Sequence, residues 1–449
     1  MVKRQALALL GLLMTAVSVL VFAPAAGAHD ADEAYVYLSV SESSLSGRVE
    51  LAFVDVEQVF GIDLEGRGDV VLERVNESLE ELIAYTDQHL QIGAEGRQWQ
   101  IEFGEASLLF PNNTPDFNYV QLAFEVVVPE ASVPRDLEVT FDPFFDEVPD
   151  RVGLLLIEND WAAGTFDNES EALVAFDRSN RSRDVDLGDT SNWSNFTAST
   201  QLGLDHIRTG PDHIFFILVL LLPSVLVFGA TWQPGHGFGS ALWRVLKIAT
   251  MFTIAHSITF TLAGLDILPL PPSRFVESLI ALSIAVAALH NLHPIAANRE
   301  WLIAFAFGLF HGMGFAGLVS GLDVSRSTQL VSLLGRNVGI EFGQAVIILL
   351  VFPGLFLLRR TSYYRPFFLA GSIVLATVSS IWTIERVFAT DFGINDYVDA
   401  AIEWPRVLVL IAAFTAVAAI LHQRERAAGR LLAVASQRPD EAELELATI

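Results

Sequence analysis

The chain has 449 residues, 52% of them hydrophobic, with a formal net charge of −26 and no cysteine. Its positive mean hydropathy indicates that much of this length lies in lipid, so the length does not translate into several soluble domains. The lack of cysteine excludes disulfides and thiolate metal sites. The acidic balance argues against nucleic-acid binding, and the sequence has no Walker-type phosphate loop that would indicate use of a nucleotide.

The first 28 residues predict a secretory signal peptide. Lys3 and Arg4 precede an apolar run over residues 6–22, and Ala-Gly-Ala closes the segment at 26–28. Cleavage there would start the mature chain at His29, whose ring and free amino group are a further, weaker candidate for metal binding.

Residues 29–178 predict an acidic extracytoplasmic domain. Residues 29–201 carry 36 Asp and Glu against 9 Lys and Arg, so the whole acidic excess of the chain lies here. Solubility explains this charge more simply than specific cation capture, and the domain is also a candidate surface for an extracytoplasmic partner. Alternating apolar residues predict strands at 35–40, 48–53, 99–103, 119–128, 137–141, 153–158 and 172–177, and one helix over 72–90. We expect an all-β, sandwich-like fold, followed by a polar linker at 179–201.

Seven apolar segments follow, each about long enough to cross a hydrocarbon core of ~30 Å. They lie at 207–229, 242–265, 274–292, 300–322, 338–358, 366–388 and 404–421. Six of them form the expected membrane domain at 202–388, and the seventh follows an acidic outer loop within residues 389–421. The distribution of Lys and Arg among the loops predicts a cytoplasmic tail at 422–449 and an N-terminal domain outside. We therefore expect a multi-pass, α-helical protein of the cell inner membrane, with the lipid bilayer as its surroundings.

The first apolar segment opens with the densest group of metal-binding side chains. On an unbroken helix, His206 and His213 would lie almost two turns apart, roughly 10 Å, and so would Asp205 and Asp212. Gly210-Pro211 predicts a break that lets the two histidines converge. Transporters place ion sites at such broken helices.

Further polar side chains lie within the later segments, where each needs a partner or a purpose. His256 and His311 fall near the middle of the second and fourth segments, each within a Phe-x3-His-x3-Phe pattern that suggests an internal repeat. With Asp205 of the first segment, the supporting polar residues are Glu277, Ser283, His290, Asn291, Asn337, Glu341, Gln344 and Arg386. Three of them, Asn337, Glu341 and Gln344, share one helix face, and Arg386 is expected to pair with an acid such as Glu277.

A single histidine in a membrane helix ordinarily forms a hydrogen bond to a neighbouring helix. Several together with carboxylates favour a metal site, whose candidate ligands are His206, Asp212, His213, His256 and His311. Neutral imidazole and carboxylate suit Ni²⁺, Co²⁺, Zn²⁺ or Cu²⁺, whereas the lack of Cys and only four Met argue against Cu⁺. Proton relays and structural polar contacts remain the alternatives.

At these residues the chain resembles the HupE/UreJ family of bacterial membrane proteins, over roughly 200–388. The resemblance rests on His206-x5-Asp212-His213, Ala255-His256-Ser257, Val276-Glu277-Ser278, the segment 307–312 that contains His311, and Asn337-x3-Glu341-x-Gly343-Gln344. It implies a nickel permease in which the first of these motifs is important for uptake. This chain departs from the short members by its acidic domain, by its seventh segment, and by Met313-Gly314-Phe315 in place of a second histidine and a downstream glutamate. Those departures leave the ion, and transport itself, open.

Three functions are compatible with the sequence. The first is a secondary permease for a divalent transition metal, with nickel preferred. The second is an intramembrane metal-dependent hydrolase, for which Ser257 and Ser283 stand near the histidines. The third is an accessory or sensor protein that transports nothing and binds a partner through its N-terminal domain.

Overall fold

The computed structural model describes residues 33–110, 118–148, 151–169, 171–229, 231–235, 237–294, 299–314, 324–404 and 406–434. The expected signal peptide, His29, Phe315 and the end of the tail lie outside these residues. The described chain divides into two compact units. The N-terminal unit reaches Ser199 and takes in the segment 324–335, and the membrane unit holds the remaining described residues.

The N-terminal unit has ten described strands in two sheets, with three helices among them. In chain order, its elements are β1 Glu33–Val40, β2 Leu45–Ala52, α1 Phe53–Phe60, α2 Gly68–Glu77, α3 Leu79–His89, β3 Leu90–Ala94, β4 Arg97–Gln98, β5 Gln100–Leu109, β6 Tyr119–Val127, β7 Asp136–Phe141, β8 Val152–Asp160, β9 Val174–Phe176 and β10 Ser182–Asp186. The larger sheet has the order β5-β6-β2-β1-β8-β9, and the smaller has the order β10-β7-β3-β4. β1 pairs antiparallel with β2 and parallel with β8.

The alternation of side chains along β1 explains how the sheets share a core. Val36 and Leu38 belong to the main core, together with Ile92 of β3 and Val139 of β7. Because successive side chains of a strand point to opposite faces, Tyr35 and its neighbour Tyr37 are buried instead in a smaller cluster. The strand-rich N-terminal half of the predicted two-part fold is confirmed.

Two local predictions for this unit differ from the structure. The single helix expected over 72–90 is two helices, α2 and α3, which meet at Ser78. The interval 179–201, expected as a linker, contains β10, which pairs antiparallel with β7. The sequence of β10 has the polar pattern of a linker because Val185 is its one buried residue.

From Asn192 onward the described chain is mainly helical, and the membrane unit takes in α4 from Thr200 and α9 from Arg336. The elements in chain order are α4 Asn192–Thr209, α5 Pro211–Ser224, the hairpin strands β11 Leu226–Phe228 and β12 Trp232–Pro234, α6 Phe238–Gly264, α7 Ser273–Leu292, α8 Glu300–Gly314, α9 Arg326–Leu358, α10 Tyr364–Phe388, α11 Ile394–Ile402 and α12 Arg406–Ala427. Each of the seven predicted apolar segments overlaps one of these helices, but the first also contains the break between α4 and α5 and the strand β11, and the fourth extends beyond the described residues. Five of the described helices are long and apolar enough to cross a membrane, or six if α4 and α5 count as one broken span. Seven spans are not shown, because α8 is described over only 15 residues.

Glycine residues allow α6 and α8 to approach closely. A methyl group added to Gly308 would lie 2.4 Å from the carbonyl oxygen of Phe252, and one added to Gly312 would lie 2.3 Å from that of His256. Both distances are far shorter than a van der Waals contact, so any larger side chain would push the helices apart. This small-xxx-small contact, common between membrane helices, fixes the position of His311 relative to α6.

Candidate metal centre

The helix is interrupted between α4 and α5, as the sequence predicts. The two helices are bent by 70°. Pro211 starts α5, where its missing N–H costs nothing, and the preceding Gly210 has an extended conformation. The bend brings the rings of His206 and His213 to a centroid distance of 4.6 Å, which replaces the roughly 10 Å separation on a straight helix.

Asp212, His213 and His311 form a group suited to one metal ion. One ligand atom from each residue lies within 4.8 Å of the other two. Oδ1 of Asp212 lies 3.2 Å from Nδ1 of His213 and accepts the backbone N–H of His213 at 3.0 Å. Ligands around a zinc-like ion lie about 2.1 Å from it and so about 3.4 Å from one another. Small side-chain rotations would therefore let the three residues share an ion.

His213 is central among the predicted metal ligands. Its ring centroid lies 4.6 Å from that of His206, 5.3 Å from that of His311 and 6.3 Å from that of His256. His213, His256 and His311 are at most 1% exposed. The structure thus brings all five predicted ligands into one neighbourhood, with three of them closest.

The hydrogen bonds of Ser283 determine which nitrogen of His311 carries a proton. The hydroxyl of Ser283 donates to the carbonyl of Ile280 at 2.7 Å and lies 3.2 Å from Nε2 of His311. Because the hydroxyl has one proton, it accepts from Nε2–H, which leaves Nδ1 deprotonated. Nδ1 is buried and has no hydrogen-bond partner among the described residues. Such an outer partner that orients a ring is typical of metal-binding histidines.

Aromatic rings close the site on one side. The Phe252 ring lies 4.9 Å from the His311 ring and 4.7 Å from the Phe216 ring, and Phe216 lies 5.6 Å from His311. Below them, a cleft with no room for a water molecule is lined by Leu220, Val245, Ala249, Gln344 and Ile348. The sequence places Phe252 in the Phe-x3-His-x3-Phe pattern around His256, whereas no pattern selects Phe216 among the 32 phenylalanines of the chain.

Five of the supporting residues lie apart from this group. Asp205 forms an ion pair with Arg208 at 3.1 Å and accepts a hydrogen bond from Gln201. The expected ion pair between Arg386 and Glu277 is present, with 3.8 Å between Nε and Oε2.

At the other end of α7, Asn291 donates to the carbonyl of Val219 at 2.9 Å, and its own carbonyl accepts from Trp232. His290 lies seven residues beyond Ser283, roughly 10 Å along the helix. Neither side chain is in the histidine group, and the contacts of Asn291 join α7 to its neighbours.

Polar residues of α9 face hydroxyl groups of α6. Thr250 donates to Oε1 of Glu341 at 2.6 Å, and Thr253 lies 3.3 Å from Oε1 of Gln344. Asn337 lies one turn before Glu341 on α9 and interacts with His256. The sequence did not single out the two threonines, although Thr250, Thr253 and His256 recur at every third position of α6.

These features define a class: a multi-pass helical membrane protein with a buried imidazole and carboxylate site at a broken helix. Residues 182–386 match the sequence model of a family described as HupE / UreJ protein. This match confirms the family resemblance that the motifs predicted for the membrane part of the chain, and it suggests a metal-handling membrane protein. Searches of curated proteins and of solved structures gave no significant match.

Proposed function

We propose that the protein is a secondary permease for a divalent transition metal, with nickel as the preferred ion. Asp212, His213 and His311 hold the ion, and His206 and His256 are neighbouring ligands along its path. The observation that carries this proposal is that Asp212, His213 and His311 each offer one ligand atom within 4.8 Å of the other two, while Nδ1 of His311 is buried and has no hydrogen-bond partner among the described residues.

The chemistry of these ligands favours late first-row metals. Imidazole nitrogen binds Co²⁺, Ni²⁺, Cu²⁺ and Zn²⁺ much better than Mg²⁺ or Ca²⁺, which prefer oxygen. A cation that leaves water inside a membrane bundle needs ligands that replace its hydration shell, and one carboxylate offsets part of its charge. The site therefore selects its ion by chemical type before the ion moves further.

Helix directions support a complete crossing by the broken pair α4–α5. Gly339 of α9 faces Thr200 of α4, and Gly343 faces Ile207, so the two helices run in the same direction. If α6, α7 and α8 each cross once, α9 runs parallel to α4 only when α4–α5 also crosses; a re-entrant loop would reverse α9.

The proposed topology has seven crossings in the inner membrane, with the N-terminal domain outside and the tail in the cytoplasm. His256 lies eight residues before the end of α6 and 18 after its start, about 12 Å and 27 Å respectively. In this topology the histidine site is nearer the outer surface.

The hydrolase alternative receives less support from the hydroxyl groups. Ser257 donates its proton to the carbonyl of Thr253 at 2.7 Å, and Ser283 donates to Ile280. Neither hydroxyl has a proton free to give to a substrate. The sensor alternative is decided by the uptake experiment.

We would test the permease by uptake of radioactive ⁶³Ni²⁺ into cells that lack other nickel uptake, at equal expression of each variant. We expect the intact protein to raise accumulated nickel, and His213→Ala and His311→Ala each to lower the gain at least ~10-fold. Ser283→Ala should cost less, about 10-fold or under in apparent affinity, because His311 keeps its ring but loses its partner. His293→Ala is the matched control, since His293 is exposed at the end of α7.

Three results would contradict the permease. Cells with the intact protein that accumulate no more nickel than empty-vector cells would point to the sensor. Variants that transport normally would place the path elsewhere. Stoichiometric zinc in the purified protein, without a change in cellular metal, would favour the hydrolase.

A further inference from the structure

Glu341 is a half-buried carboxylate near the middle of α9, and only one of its oxygens has a hydrogen-bond partner among the described residues. It is the sixteenth of the 33 residues of α9, so it lies more than 20 Å from either end of that helix. Oε1 accepts a hydrogen bond from Thr250, whereas Oε2 is shielded from solvent and has no hydrogen-bond partner among the described residues. A carboxylate at membrane depth is costly unless a cation or donors compensate it. A purely structural role for Glu341 does not explain why Oε2 has no hydrogen-bond partner among the described residues.

The groups around Glu341 offer oxygen ligands from two helices. Gln344 lies one turn further along α9, with its Oε1 3.3 Å from the hydroxyl of Thr253. Thr250 and Thr253 lie on successive turns of α6. The set holds a carboxylate, an amide and two hydroxyls, and it includes no imidazole.

This group is separate from the histidine site. Thr250, the partner of Glu341, lies six residues before His256 on α6, about 9 Å along the helix, which is too far for one ion to bind both; Thr253 lies at half that distance, at the edge of the group nearer the histidines. Phe252 stands between them on the same helix, with its ring against His311 and Phe216. The direction from His256 to Thr250 leads toward the start of α6, the cytoplasmic end in the proposed topology.

We propose that Glu341, Gln344, Thr250 and Thr253 form a second cation site, with oxygen ligands alone, which receives the transported ion from the histidine site. This inference rests on the proposed permease function. Oxygen ligands hold late transition metals more weakly than imidazole does. Movement of an ion through a protein requires binding that is tight enough to admit it and weak enough to release it. The histidine site selects the ion, and the oxygen site lets it leave.

The test uses the purified full-length protein in detergent, with Co²⁺ as the probe. Equilibrium dialysis with elemental mass spectrometry counts bound ions, and the visible absorption of Co²⁺ reports nitrogen ligation. We expect the intact protein to bind one ion tightly, with a nitrogen-ligated spectrum, and a second at least ~10-fold more weakly. Glu341→Gln should keep the first ion and its spectrum, lose the second, and lower Co²⁺ flux in proteoliposomes at least ~10-fold.

Glu341→Gln preserves shape, because the amide oxygen still accepts from Thr250. Thr250→Val is a second variant that leaves the carboxylate in place, and it should weaken the second ion without changing the first. Glu403→Gln is the matched control, since Glu403 is exposed and pairs with Arg406. Its binding and flux should equal those of the intact protein.

The outcomes separate this site from the permease itself. Two ions bound to Glu341→Gln as tightly as to the intact protein would overturn the second site, and so would loss of the first ion together with the second. Normal flux by Glu341→Gln, with loss of flux in His213→Ala, would overturn the second site and leave the permease standing. A second ion lost in Glu341→Gln, with no flux by the intact protein, would support the site and overturn the permease.

Discussion

The two units treat buried carboxylates differently. In the N-terminal unit, Asp55 faces Arg151, with 2.5 Å between Oδ1 and Nη2 and a second contact of 2.9 Å to Nε. In the membrane unit, Asp212 faces imidazole rings, and Glu341 faces a threonine hydroxyl. A guanidinium supplies a permanent positive charge and several donors, so the protein itself provides the cation that compensates Asp55. Neutral imidazole and hydroxyl groups leave negative charge available, which is what a site for a passing cation requires.

The largest loss of stability is expected when the buried ion pair between Asp55 and Arg151 is broken. Asp55→Ala leaves the guanidinium of Arg151 buried without its carboxylate, which costs about 3–5 kcal/mol for such pairs. The N-terminal unit of the full-length protein should then unfold at lower urea, measured by protease cleavage across a urea series. Asp69→Ala is the control, because Asp69 and its partner Arg67 are both exposed. Equal urea midpoints for the two variants would show that the buried pair has no special role.

A smaller effect is expected when the candidate metal site keeps its ligands but the distance between α6 and α8 increases. Gly312→Ala places a methyl group against the carbonyl of His256, and overpacking of this kind costs about 1–3 kcal/mol. Because α8 carries His311, nickel uptake should fall several-fold while the urea midpoint of the N-terminal unit stays unchanged. Gly239→Ala is the matched control, since an added methyl group there meets open space. Normal uptake by Gly312→Ala would mean that the distance between α6 and α8 does not determine the site.

The smallest effect concerns an exposed ion pair of the acidic domain. Arg181 donates to Asp146, and this hydrogen bond lowers the pKa of Asp146 in the folded state. Its stabilisation is therefore fully present above the unfolded pKa of about 3.9, and it is lost as the pH falls through the lower folded pKa. Arg181→Gln should reduce the stability of this unit near neutral pH slightly and make its loss below pH ~4 less steep. An unchanged acid profile, followed by circular dichroism, would contradict this role of Arg181.

Local features of the sequence predicted much of the fold. The length of an apolar segment is a local property, and each of the seven segments overlaps a helix of the structure. Gly210-Pro211 is also local, so the convergence of His206 and His213 could be predicted. β10 could not, because its pairing with β7 depends on residues about 45 positions away.

The same distinction applies to the candidate site. That His311 lies beside His213 depends on the close contact of α6 and α8, which the glycine positions permit but do not by themselves imply. Thr250 and Thr253 are recognised as candidate ligands only because polar residues of α9 lie opposite them. The packed structure was therefore needed to select them.

Phe252 lies between the two proposed cation sites, and this position bears on the proton gradient across the membrane. Its ring lies against His311 and Phe216, and its backbone carbonyl fits against Gly308. Because the ring packs against both His311 and Phe216, a rotation of the ring that opened the proposed inner path would also disturb a proposed metal ligand. A permease built this way would pass its ion without ever holding a continuous thread of water across the bilayer, and the proton gradient would stay intact while the metal crosses.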